Sequence, residues 1–287
     1  ISYNSGNDNN DGKSEDKAFK NLGKVNSITF KPGDKLMFKS GETWKGYFKL
    51  RGSGSQDKPI VIESYSSGDK PKIDGNGYQA AVFIENQEYV NISGLDLTNE
   101  ASHKNSNGSV KLMNQSSRSG EDERFGLLVL RHGSSNINDI KLDDIKISEI
   151  YPTPSNSDNN HQGYGIRFES LNDDSVLNYY DGIEIENLDI SNTGHYGIHI
   201  VNRMSGAQPD YYHRNIVIKD SKFNNTGGSG IVLARCKDVL VENSEFKGSG
   251  SGNDNRMWNR GSSLWTYTCN DTVTVSYTHL RAHETSP

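Results

Sequence analysis

The 287 residues carry a net charge of −6 with 24% charged residues, a balance that names no partner, and no Lys/Arg-rich run of the kind that binds nucleic acid is present. No apolar stretch approaches the length of a bilayer span, so no membrane crossing is expected. Hydrophobic residues make up only 32% of the chain, yet they fall in short alternating runs, which points to packed strands and against disorder.

From the N-terminus the chain reads "SGNDNNDGKSEDKAFKNL" from Ser5, "KPGDKLMFKSGETW" from Lys31, "DKPIVIES" from Asp57 and "GDKPKIDG" from Gly68. Then a repeat sets in. Six segments align without gaps: "VNISGLDL" from Val90, "IKLDDIKI" from Ile140, "IEIENLDI" from Ile183, "IVIKDSKF" from Ile216, "VLVENSEF" from Val239 and "VTVSYTHL" from Val273. In the first five, positions one and three are apolar, as in a strand with one buried face. Position five is Gly94, Asp144, Asn187, Asp220 and Asn243, residue types that tolerate a left-handed bend. Position eight is apolar each time, so each unit reads as strand, bend, strand. A further strand precedes each unit from the second onward: "GLLVL" at Gly126, "GIRFE" at Gly165, "GIHIV" at Gly197, "GIVLA" at Gly230 and "SLWTY" at Ser263. The shortest step, from Ile216 to Val239, is 23 residues and leaves no room for helices, whereas a coil of three parallel strands fits. An antiparallel β-sandwich would place Asn-Gly or Asp-Gly hairpins between the strands, and these pairs are nearly absent there.

The phased "GIxI…NIxIxNxxF" coils resemble the right-handed parallel β-helix, or pectate-lyase-like, superfamily. The N-terminal blocks resemble the opening of secreted β-helix proteins that act on polysaccharides. The resemblance implies an all-β fold with a short capping helix over residues 16–26, whose Phe19, Leu22 and Val25 plug the open end of the coil. It implies a division into a cap and first coils (1–88), repeats with polar loop insertions (89–274) and a tail (275–287). It further implies an extracellular, periplasmic or cell-surface monomer that acts on a polysaccharide. No signal peptide is visible at Ile1, which fits a removed leader or a fragment of a longer gene.

Aligning the preceding strands at their Gly yields columns. One step after it come Leu127, Ile166, Ile198, Ile231 and Leu264, an inward stack. Two steps after come Leu128, Arg167, His199, Val232 and Trp265, and four steps after come Leu130, Glu169, Val201, Ala234 and Tyr267, all expected to point outward. Just before the Gly stand Phe125, Tyr164, Tyr196, Ser229 and Ser262. One outer face thus gathers His199, Arg167, Tyr196 and Glu169 as candidate catalytic groups, with Tyr164 and Trp265 as flat surfaces for sugar rings. The polar loops 99–124, 151–164, 202–215 and 247–262 flank this face and contribute His161, His213, Tyr211, Tyr212, Arg256, Trp258 and Arg260 as candidate substrate contacts.

Two reactions suit such a face. In β-elimination, His199 or Tyr196 takes a proton and Arg167 neutralises a uronate. In glycoside hydrolysis two carboxylates are needed. Glu169 is well placed, with Asp181 and Asp210 in adjoining loops, and this shortage of paired acids favours elimination. A binding or adhesion solenoid without turnover is the third reading. No cofactor is expected. The acidic stretches "GNDNNDG" and "SGEDE" could offer calcium oxygen ligands but lack an EF-hand pattern. Cys236 and Cys269 both fall six steps after the aligned Gly or Ser, as neighbours in adjacent rungs, within disulfide reach or as a ladder of small side chains.

The sixth unit starts in phase at Val273 and Val275, but its position five is Tyr277, too bulky for the bend. Residues 275–285, "VSYTHLRAHET", resemble a translated transposase-type sequencing adapter. The expectation is a coil cut at its sixth unit and followed by a non-native tail, with His279 and His283 set aside as functional residues.

Overall fold

The structure is a computed structural model and describes residues 1–101, 123–133, 137–152, 161–171, 179–203, 209–276 and 278–280. It is a right-handed parallel β-helix. Two 8-stranded sheets and one 7-stranded sheet run along it, and each strand pairs with its counterparts one rung before and one rung after. In the first sheet Ile140 pairs with Val90 on one side and Ile183 on the other, then Ile183 with Ile216 and Ile216 with Val239. The second sheet carries Leu97, Ile147, Ile190, Phe223 and Phe246 in one file. The third carries Leu127, Ile166, Ile198, Ile231 and Leu264 in another. These files meet inside the coil as a continuous apolar core.

Bends recur at fixed places because the residues there accept a left-handed backbone. Gly94, Asp144, Asn187, Asp220 and Asn243, at position five, all have φ between 48° and 67°. Two further bend files lie outside the aligned segments. One holds Tyr89, Asp139, Gly182, Asn215, Asp238 and Asp271, just before each first-sheet segment. The other holds Glu149, Asn192, Asn225 and Gly248, toward or just past the end of the last four of these second-sheet strands. Side chains lace successive bends together: Asn187 Nδ2 donates to Asp143 at 2.8 Å, Asn192 Nδ2 to Glu149 at 2.6 Å and Asn215 Nδ2 to Asp181 at 2.6 Å. The glycines that open the third-sheet strands are required by close approach. A Cβ on Gly165 would lie 2.5 Å from the Gly197 carbonyl oxygen, and one on Gly197 would lie 2.6 Å from that of Gly230.

Two expectations are corrected. The N-terminal cap is not one helix over 16–26: a 3-10 turn, Glu15–Lys17, and a short α-helix, Leu22–Asn26, are separated by extended chain. Leu22 and Val25 still enter the core, with Phe19 packed against it, and Trp44 Nε1 anchors the separating stretch through the Lys20 carbonyl at 2.9 Å. At the other end the sixth unit is shifted by one residue. Val239 pairs with Thr272 and Val241 with Thr274, so Thr272 occupies position one and Ser276, with φ 52°, occupies the bend. Val273 and Val275 consequently face solvent, 53% and 41% exposed. The register is set upstream, where Asp271 takes the same left-handed place as Asp238. Residues 281–287 of the expected tail lie outside the described residues. Among the described residues no helix is long and apolar enough to cross a membrane.

Candidate active site

The outer face of the third sheet is built from alternate residues of parallel strands in register, so like positions stack at rung spacing. Leu128 pairs with Arg167, Arg167 with His199, His199 with Val232 and Val232 with Trp265, as the aligned columns require. These side chains point away from the coil, but most do not meet water. Arg167, Glu169, Tyr164, Tyr196 and His199 are all buried, and a second apolar cluster outside the coil includes Phe83, Phe125, Leu128, Tyr164, Tyr196 and Val232. Outward from a solenoid is therefore not the same as exposed. Among the described third-sheet strands, exposed side chains occur on the terminal rung, with Trp265 51% and Tyr267 56% exposed and their ring centres 6.5 Å apart.

Arg167 is the hub of the buried part. Its Nη1 lies 3.2 Å from Glu123 Oε1, its Nε lies 3.1 Å from Glu169 Oε2, and its guanidinium carbon sits 4.7 Å from the Tyr164 ring centre. Glu169 is also held by Arg203 Nε at 2.9 Å, and Arg203 is itself half exposed at 47%. A guanidinium that offers its fork to two carboxylates has little left for a substrate carboxylate. The role expected of Arg167, neutralising a uronate, is thus taken up within the protein. The shortage of paired acids also disappears, since Glu123 supplies the second one.

An aromatic group adjoins this cluster. Tyr164 Oη donates to Gln162 Oε1 and lies 3.1 Å from His195 Nδ1. With its proton committed to Gln162, the Tyr164 oxygen accepts from His195 Nδ1–H, which leaves the lone pair on Nε2. The His195 ring centre lies 3.9 Å from Tyr196 and 4.3 Å from Trp258. Burial, reinforced by the charge of Arg167, pushes His195 down to about 3, so the imidazole is neutral across the physiological range. Burial likewise raises the Tyr196 hydroxyl above its ordinary value, which keeps it protonated at neutral pH and so less available as a base. His199 stacks on Tyr164 at 5.9 Å and meets Tyr196 edge-on at 5.0 Å. His161 lies near His195.

The structure thus brings together Arg167, Glu169, His199, Tyr196, Tyr164, Trp258 and His161. Arg260 joins them, its guanidinium carbon 5.8 Å from the Trp258 ring centre, while the remaining loop candidates are held in other contacts. His213 is buried at the start of a first-sheet strand, where its Nδ1 accepts the Tyr180 N–H at 3.0 Å, so it stands in the wall of the coil and not on the third-sheet face. Arg256 is engaged by Glu100 at 2.8 Å and Asp254 at 2.7 Å and lies over the Tyr151 ring at 4.1 Å. Tyr211 ends a 3-10 turn, Pro209–Tyr211, whose carbonyl receives Asn202 Nδ2 at 2.7 Å. Asp181 accepts from Asn215 and belongs to a bend, and Asp210 is exposed in the same 3-10 turn as Tyr211. Glu123, His195 and Arg203 were missed. The first two lie at minus three and minus two relative to the aligned Gly, so carrying the columns two steps further back would have shown them.

Asp8, in the first acidic stretch, spends its carboxylate on the Lys20 and Asn21 N–H groups at 2.8 and 2.9 Å. In "SGEDE", Glu123 serves Arg167, and the residues before it lie outside the described residues. Among the described residues no group of three or more His, Cys, Asp or Glu side chains is arranged to hold a metal ion.

No protein-family profile matches the chain. A lacto-N-biosidase from Bifidobacterium longum subsp. longum is 24% identical over 84% of this chain, which spans only 19% of that protein's length. Among solved structures, a GH136 lacto-N-biosidase from Eubacterium ramulus superposes with a TM-score of 0.76 at 21% identity, covering 97% of this chain and 50% of that one. An alginate lyase from Paenibacillus superposes with a TM-score of 0.56 at 19% identity, covering 90% of this chain and 74% of that one. At these identities the structural likeness establishes the fold, a right-handed β-helix.

Proposed function

We propose that this chain is the β-helix portion of an extracellular carbohydrate-active enzyme that hydrolyses glycosidic bonds at the outer face of the third sheet. The observation that carries the reading is the pair of carboxylates, Glu169 and Glu123, gathered by one guanidinium beside an aromatic group. Hydrolysis needs two such acids, one to attack or activate water and one to protonate the leaving oxygen. Glu169, bracketed by Arg167 and Arg203, suits the charged role of nucleophile or base. Glu123, on the opposite side of the Arg167 fork, suits proton donation. Tyr196, Trp258 and the solvent-facing pair Trp265 and Tyr267 offer faces on which sugar rings stack. The lacto-N-biosidase relative supports hydrolysis over the elimination first favoured by the sequence.

The test is product chemistry. The chain is incubated with lacto-N-biosidase substrates, alginate and pectin, and products are read as new reducing ends and as ultraviolet absorbance of unsaturated uronates. Reducing ends without absorbance are expected. Absorbance would establish elimination instead, and retention on immobilised glycan without any product would make the chain a binding solenoid.

A further inference from the structure

The thiols of Cys236 and Cys269 take no part in that chemistry, and both are free. Cys236 opens the strand Cys236–Glu242 and is fully buried, while Cys269 lies one rung on, half-buried, two residues after the strand Leu264–Tyr267. The two sit side by side: the Asn270 N–H donates to the Cys236 carbonyl at 2.9 Å, and the Cys236 N–H points at Cys269 Sγ at 3.4 Å. Cys269 Sγ is turned back toward the preceding rung, 3.4 Å from the Leu233 carbonyl oxygen. Strands in neighbouring rungs lie about 4.8 Å apart, inside the Cα separation that a disulfide spans. Their reactivities differ. Burial raises the Cys236 thiol well above its usual range, whereas its hydrogen bond to Cys236 and surrounding backbone groups bring Cys269 down to about 7. A thiol that is part thiolate and partly exposed, with a buried thiol against it, is the arrangement of an attacking and a resolving cysteine.

We propose that Cys269 and Cys236 form a cross-rung disulfide on exposure to a disulfide oxidant, tethering the strand that carries Trp265 and Tyr267 to the rung beneath it. With oxidised glutathione, the Cys269 thiolate attacks one glutathione sulfur, forming a mixed disulfide and releasing the other glutathione as thiolate. Cys236 then gives up its proton and attacks the Cys269 sulfur, releasing the second glutathione. Two protein thiols become one disulfide, one oxidised glutathione becomes two reduced ones, and the two thiol protons end on them.

The experiment treats the folded chain with oxidised glutathione, alkylates it under native and then denaturing conditions, and maps peptides without reduction. A single intramolecular Cys236–Cys269 link is expected, with a melting temperature raised by roughly 5 °C or more and returned by dithiothreitol. In Cys236→Ser the mixed disulfide should accumulate on Cys269, and in Cys269→Ser the buried Cys236 should stay unmodified. Two alkylated cysteines after oxidation, a disulfide-linked dimer, or preferential modification of Cys236 in Cys269→Ser would each overturn the proposal.

Discussion

Acid should loosen this fold through His213, and the effect can be sized. The imidazole is wholly buried, its Nδ1 accepts the Tyr180 N–H, and its ring centre lies 4.9 Å from that of Tyr180. Burial pushes it down to about 4; the nearby Val201 backbone pulls the other way, and the charges of Arg131 and Arg214 add to the depression. In the unfolded chain the group returns to about 6.5. The unfolded state therefore takes up the proton first. The stabilisation is complete above pH 6.5 and is lost as the pH falls toward 4. Between pH 7 and 4.5 this one residue should remove roughly 2–3 kcal/mol, at about 1.4 kcal/mol per pH unit. His195, pushed down to about 3, acts in the same direction, so the contribution of His213 has to be isolated by substitution. His213→Cys is suited to this, because Cys236 fills the next place in the same column and Cys269 Sγ accepts the Cys236 N–H much as His213 Nδ1 accepts that of Tyr180. Urea titrations of both proteins under reducing conditions, from pH 7 to 4.5, should show the gap between them closing by roughly 2–3 kcal/mol. Parallel curves over that range would refute the reasoning.

The shifted register of the last unit can be tested by two single substitutions. Thr272 Oγ1 is buried without a hydrogen-bond partner, so Thr272→Val should raise the urea midpoint by the equivalent of about 1 kcal/mol. Val273→Thr, on the exposed side, should change stability by less than about 0.5 kcal/mol; the reverse outcome would restore the unshifted register. At the bend, Asn187→Ala forces a Cβ-bearing residue without a local polar side chain to hold φ 53° and deletes the bond to Asp143. A loss of about 1–2 kcal/mol is expected, with Asn187→Gly recovering the backbone share, both read by thermal or urea melts.

The coil was legible because parallel stacking repeats one pattern: the apolar positions of five units, their Asn/Asp/Gly bends and the Gly that opens each third-sheet strand all recur at rung spacing. The last unit was misread because its alternation is inverted. Thr272 and Thr274 face inward and two valines face out, so periodicity chose Val273, whereas Cys269 and Asp271, two residues apart as Cys236 and Asp238 are, hold the true phase. The cap was misread because Leu22 and Val25 bury one face over a single helical turn, and the chain before them is held by Trp44 and Asp8 rather than by helical bonds.

The site was half legible. Direction away from the coil follows from strand alternation, which is how Arg167, His199, Glu169 and Trp265 fall on one face. Burial beneath a second layer does not follow from it, because it depends on what lies over the sheet. His213 illustrates the difference: a histidine at the edge of a polar loop looks available, yet the strand it opens carries it into the wall of the core. Glu123 escaped notice because it stands ahead of its strand, where no apolar pattern marks the register.

The central claim, hydrolysis by the acids gathered at Arg167, is tested most directly by glycan turnover in Glu169→Gln and Glu123→Gln beside the unsubstituted chain. Each substitution keeps the shape of the side chain and removes its acid chemistry. Release of reducing ends should fall by about a hundredfold or more in each variant, with retention on immobilised glycan kept; because each acid is half of a buried ion pair with Arg167, the melting temperature should fall as well, and turnover is compared well below it. Turnover undiminished in both variants would contradict the account.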